Sequence, residues 1–297
     1  MAVEKVLKTQ KSADTNCIRP VVLSVEGLRT SDGDGVKLRR FIGSSTLPKL
    51  DPFLLLDAFS SDEPRDYLGG FPEHPHRGFE TVTYVLAGRV RHQDNKGNNG
   101  VIEAGGVQWM TAGRGIVHSE MPEQQDGLLS AFQLWVNLPA AQKMTQPQYQ
   151  EFSAAEIPIE HGHSSEVRVI AGETSAGTVG PVKNVFTEPI YFDVTVRPQG
   201  FFMEKIPPTH NSFIIVYEGS IVLSSGSFGE DKVVEAGTLA VLGAGNRVNV
   251  TGKDAGAKFL LIAGKPLNEP IAHSGPFVMN TRAEVMQAFQ DFWAGRF

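Results

Sequence analysis

His74 and His76 are two of only eight histidines in a 297-residue chain, and they stand one residue apart in the stretch GGFPEHPHRGFET. Residues two apart on a strand point to the same face, separated by ~6.7 Å along it. Two imidazoles on one such face can converge on a metal ion. Pro75 between them cannot donate a ladder hydrogen bond, which predicts a strand start or a sheet edge. A second pair has the same spacing: GIVHSE puts His118 and Glu120 two apart after an apolar approach. Together the pairs predict a four-ligand site of three imidazoles and one carboxylate. That donor set suits Fe, Zn, Ni, Cu or Mn.

Such ligands need rigid strands to aim them. ETVTYVLAGRVRHQ (80–93) resembles NSFIIVYEGSIVLSS (211–225), each an apolar strand, a turn glycine (Gly88, Gly219) and a returning strand. VIEAGGVQWMTAGRGIVHSE (101–120) likewise resembles VVEAGTLAVLGAGNRVNVTG (233–252). From turn glycine to Glu-Ala-Gly glutamate is 15 residues in the first half and 16 in the second, so the order and spacing favour a duplicated unit. Short strands separated by glycine turns predict two β-barrels or sandwiches. The expected division is a metal-binding barrel over 1–140, a strandless connector over 141–165, and a metal-free barrel over 166–297. The last stretch carries one helix, TRAEVMQAFQDFWAGRF, with capping-box spacing at Thr281 and Glu284. Val285, Phe289 and Phe292 make its apolar face, and Gly295 can end it. Packed on its barrel, that helix would support stability.

Composition narrows the class. The chain is 41% apolar and 20% charged, with net charge -6 and no long basic run, which excludes charge-driven nucleic-acid binding. Cys17 is the only cysteine, so no internal disulfide forms. The polar N-terminus has no apolar signal region, and no apolar stretch approaches the ~20 residues of a membrane helix. The expected protein is soluble and intracellular.

The H-x-H-x3-E run from His74 to Glu80 and the Gly115-x2-His118 run resemble the two motifs of the cupin superfamily. Gly88 falls one residue late, Gly113 takes the proline place of the second motif, and its asparagine is missing. FPEHPHRGFETVTYVLAGRVRHQD with QWMTAGRGIVHSE resembles the pirin family, as do LRRFIGSSTLPKLDPFLLLDAF (38–59), AFQLWVNLP (131–139) and IAGKPLNEPIAHSGPFVMNT (262–281). The resemblance implies an all-β bicupin of two stacked cupin-type barrels with a short C-terminal helix. It implies that His74, His76, His118 and Glu120 hold one non-haem Fe(II) per chain, other divalent transition metals being alternatives. Glu80 is then not a ligand, although its parity with the histidines would let it face the cavity. In the second half, counting from Gly219 and Glu235 puts Lys205, Pro207 and Val250 in the ligand places. His161, His163 and His210 form no such set.

Four protein ligands saturate tetrahedral zinc but leave two positions on a six-coordinate ion, which favours iron for an enzyme. The family includes dioxygenases that cleave flavonols such as quercetin with dioxygen and release carbon monoxide. On that reading Glu120 is both ligand and catalytic base for the flavonol hydroxyl. Arg77 and Arg114 flank the ligand pairs and could attract an anionic substrate. Trp109, Met110 and Phe71 are candidates for an apolar pocket or for core. The alternative the resemblance implies is an iron-binding, redox-sensing co-regulator with a transcription-factor partner, in the cytoplasm and nucleus, with the same ligands.

Overall fold

The computed structural model describes residues 17–297 except 184, 227 and 228. The polar N-terminal stretch read above for signals lies outside the described residues. No helix of the described residues is long and apolar enough to cross a membrane.

The chain forms two compact units, both built from antiparallel strands. One comprises Leu28–Glu156 with Leu267–Phe297. Its larger sheet runs Gln148–Phe152, Val107–Thr111, Phe79–Ala87, Leu129–Asn137, Phe53–Ser61, Val36–Ile42, Leu28–Asp32. Its smaller sheet runs Phe71–His76, Ile116–Pro122, Arg89–Asp94, Asn99–Glu103. Alternating residues from both sheets fill the interior, among them Val36, Leu38, Phe59, Val85, Val90 and Ile102. The Phe71–His76 strand is an edge, as Pro75 predicts.

The other unit comprises Ile157–Pro266 with the described residues from Cys17 to Gly27. Its strands belong to one nine-stranded sheet. Two of them, Asn211–Leu223 and Arg247–Gly264, are long enough to run through both sides of a barrel. Its core is aliphatic and aromatic throughout, from Val167 to Ala263.

The expected boundaries need correction. Val21–Glu26 pairs with Thr238–Leu242 in the second unit, and Leu267–Phe297 joins the first. The connector 141–165 is not strandless. Gln148–Phe152 pairs with Val107–Thr111, and Ile159–His161 pairs with Ser165–Ala171. An edge strand leaves a row of amides and carbonyls unpaired, and a polar segment satisfies them as well as an apolar one. Alternation does not reveal such a strand.

The C-terminal helix spans Arg282–Trp293 with the predicted capping box: Glu284 N donates to Thr281 Oγ1 and Thr281 N to Glu284 Oε2. Its apolar face meets Phe277, with ring centroids 4.8 Å from Phe289 and 6.4 Å from Phe292. It therefore sits in the unit that carries the histidine pairs, not in the second barrel as expected.

Candidate metal centre

The Phe71–His76 and Ile116–Pro122 strands pair so that His118 lies opposite His74 and Ile116 opposite His76. Alternation turns His118 and Glu120 inward, and both are buried. A register shift between His118 and Glu120 places Glu120 opposite Phe71. The turn after His76 needs Gly78: its φ is +88°, and a Cβ there would stand 2.1 Å from the Val278 carbonyl oxygen.

Three imidazoles converge, with one ligand atom from each of His74, His76 and His118 lying within 4.8 Å of the others. The Nε2 atoms of His74 and His76 are 3.0 Å apart. His74 Nδ1 donates to the Pro72 carbonyl at 2.7 Å, which leaves its Nε2 lone pair for the centre. His118 Nε2 is buried and has no hydrogen-bond partner. Burial, with the neighbouring histidines adding to it, holds His76 and His118 well below the ordinary imidazole range. Both are neutral at pH 7 and present lone pairs. Clustered neutral imidazoles with an orphaned, buried nitrogen fit a borderline divalent metal.

Glu120 is not part of this group of three. Its Oε1 accepts from Thr83 Oγ1 at 2.5 Å and its Oε2 from Gln133 Nε2 at 2.6 Å. These three residues form the polar wall of a small cavity whose apolar lining includes Phe71, Phe59, Val90 and Leu129. Glu80 faces elsewhere. It lies three residues before Thr83 on one strand, hence on the opposite face, and is hydrogen-bonded by Thr111 at 2.7 Å. Its parity with the histidines is lost at the Gly78 turn. Full burial, opposed by the bond from Thr111, pushes the Glu80 carboxyl up to about 7.

The sequence models of pirin and of the pirin C-terminal cupin domain match residues 35–136 and 191–297. The chain belongs to the pirin family. Its sequence is 50% identical to a pirin-like protein of Caulobacter vibrioides over 281 residues, 94% of this chain and 99% of that one. Human pirin is 43% identical over 278 residues, 92% of each chain. A solved quercetin 2,3-dioxygenase from Acinetobacter baumannii superposes with a TM-score of 0.85 at 36% identity, covering 95% of this chain and 99% of that one.

Among the residues around the centre, several were not legible in the sequence. Trp135 is half-buried with its ring 5.1 Å from His76 and 4.4 Å from Phe79. Lys143, from the expected connector, is buried and donates to the carbonyls of Gly78 and Val278 and to Asn137 Oδ1. It pins the turn behind His76, and burial lowers its pKa to about 8. His92 is fully buried beside His118. Its only sequence signal is its parity with Val90 in RVRHQD.

Arg77 is not at a cavity rim. It is buried, donating to the Arg114 carbonyl and to Asp291 at 2.7 Å, under the Phe297 ring at 4.4 Å. Arg114 is exposed. Trp109 and Met110 are core, whereas Phe71 lines the cavity beside Glu120.

The second unit repeats this pairing with other residues. Its Val250, in the place of His118, lies opposite Phe202, and Val248 lies opposite Glu204. The strand register therefore assigns the places of His74 and His76 to Phe202 and Glu204, correcting the count that gave Lys205 and Pro207. Glu204 is buried and accepts from Ser175 N at 2.9 Å and Lys205 N at 2.8 Å, so it fastens a loop.

Proposed function

We propose that the chain is a metal-dependent dioxygenase that cleaves flavonols such as quercetin with dioxygen and releases carbon monoxide. The observation that carries this is the convergence of three imidazoles in a chain that superposes on a quercetin 2,3-dioxygenase. His74, His76 and His118 hold the metal, with Glu120 as fourth ligand; iron is the proposed ion. Bound iron supplies Lewis acidity toward the flavonol hydroxyl and redox chemistry toward dioxygen.

The chain's own residues supply the rest. The cavity behind Glu120 has room for about one water molecule, so it does not admit a flavonol. The substrate approaches instead from the half-buried His74 side, and Trp135, beside His76, offers a face for a planar ring. Glu120 accepts the hydroxyl proton at a carboxylate oxygen, and Thr83 and Gln133 orient that carboxylate. The deeper apolar residues Phe59, Val90 and Leu129 keep bulk water from the ligands.

The test is oxygen uptake and carbon monoxide release by iron-loaded protein given quercetin, with elemental analysis giving one ion per chain. Equal oxygen consumption and carbon monoxide release, abolished by His76→Ala, is the expected result. No turnover of several flavonols by protein with one iron per chain overturns the reading.

A further inference from the structure

His92 makes no contact that the proposed reaction needs, yet it is fully buried and touches His118. Its strand, Arg89–Asp94, pairs with Ile116–Pro122 so that Asp94 lies opposite His118 and His92 opposite Glu120. His92 Nε2 is 3.1 Å from Asp94 Oδ2, and His92 Nδ1 is 3.5 Å from His118 Nδ1. Tyr149 packs over the His92 ring at 4.7 Å.

Asp94 can act on His92 only as an acceptor. Its Oδ1 takes the amides of Lys96 and Asn98 at 2.9 and 3.0 Å, and its Oδ2 takes Asn98 Nδ2 at 2.8 Å. Four donors, His92 included, converge on one carboxylate, so the proton between Asp94 and His92 belongs to His92 Nε2. With that proton on Nε2, the lone pair of the His92 ring is on Nδ1. That atom accepts from His118 Nδ1–H, and His118 keeps its free lone pair on Nε2, the atom left without a partner in the centre. The opposite tautomer of His118 would aim an N–H at the metal position and two lone pairs at each other.

We infer that Asp94 and His92 form a positioning relay that fixes His118 in its Nδ1–H tautomer and its ring in the metal-binding orientation. The inference rests on His118 being a metal ligand, but not on any flavonol chemistry. A hydrogen-bonded partner on the outer nitrogen orients a ligand histidine and raises its basicity, and losing one typically costs about 10–100-fold in metal affinity. Tyr149 supports the relay by restricting the His92 ring.

The test begins with the metal-free wild type labelled with 15N in histidine. The His118 shifts should report a protonated Nδ1 and a bare Nε2; a protonated Nε2 overturns the inference. Chelator competition then compares the affinity of wild type, His92→Phe, His92→Gln and Asp94→Asn for Mn(II). His92→Phe keeps a ring for Tyr149 but no acceptor, and should bind about 10–100-fold more weakly. His92→Gln restores an acceptor and should recover part of the loss. Affinity within twofold of wild type for both His92→Phe and Asp94→Asn overturns the relay. So does a loss that only follows a lowered melting temperature of the metal-free variants. Failure of wild type itself to bind metal refutes the ligand assignment and is distinct from these results.

Discussion

The Nε2 atoms of His74 and His76 face each other at 3.0 Å, each on a ring whose neighbour is another histidine. With the His74 proton on Nδ1, a neutral His76 satisfies this contact in the metal-free chain by donating Nε2–H to His74 Nε2, and a bound cation takes the place of that proton. Metal bound there should stabilise the fold. At 100 times its dissociation constant an ion that binds only the folded chain adds about 2.7 kcal/mol. Calorimetry of wild type should show that gain, and His118→Ala should abolish most of it. Because His76 and His118 titrate well below 6.5, the gain should persist at pH 6.5 and vanish only on further acidification, as protons take both nitrogens.

Glu120 has both carboxylate oxygens engaged by Thr83 and Gln133. Glu120→Gln, loaded with metal before assay, should lose about 10²–10⁴-fold in flavonol turnover if the carboxylate takes the proton. Glu80→Gln should keep turnover, since Glu80 faces away from the histidines. The comparison is kcat at matched metal content. Near-normal kcat in loaded Glu120→Gln would assign the proton to solvent.

The C-terminal helix has a closer link to the ligands than a helix that merely covers a barrel. Asp291 pairs with buried Arg77, the residue after His76, and Phe297 packs on Gly115, three residues before His118. A Cβ at Gly115 would stand 2.7 Å from that ring. Asp291→Ala leaves the Arg77 guanidinium buried without its carboxylate. It should cost about 3 kcal/mol, near the low end for a broken buried pair because Asp291 keeps some solvent contact. Thermal denaturation measures that cost. Chelator-driven release should also be faster in this variant than in wild type.

Glu80 sets a pH signature of its own. Its folded pKa of about 7 lies above the ordinary carboxyl value of 4.5, so the folded state binds the proton more tightly. That contribution is complete below about pH 4.5 and is lost as pH rises through 7, by up to about 1.4 kcal/mol per pH unit. Glu80→Gln should remove the loss. Urea denaturation from pH 5 to 8 should show the variant gaining on wild type as pH rises; a constant difference would refute the assignment.

The local pattern in the chain was enough to reveal the duplicated hairpins of both barrels, the capped helix, and the two histidine-bearing pairs. Each is written in neighbouring residues: alternation, turn glycines, the His-Pro-His run, the Thr281–Glu284 box. The grouping of His118 with His74 and His76 was also within reach, because both motifs enter from strands of one repeat. Everything that depends on which edge meets which strand was not. Val21–Glu26 and the segment Leu267–Phe297 change partners at long range, and the pairing energy of an edge lies in backbone groups that every residue carries. The departure of Glu80 from the histidine face turned on the bend at Gly78, which breaks strand parity. The register opposite Val250 replaced a count along the chain with Phe202 and Glu204. His92 and Lys143 gained their roles only through burial beside partners distant in sequence, since a buried polar group takes its meaning from the atoms that satisfy it.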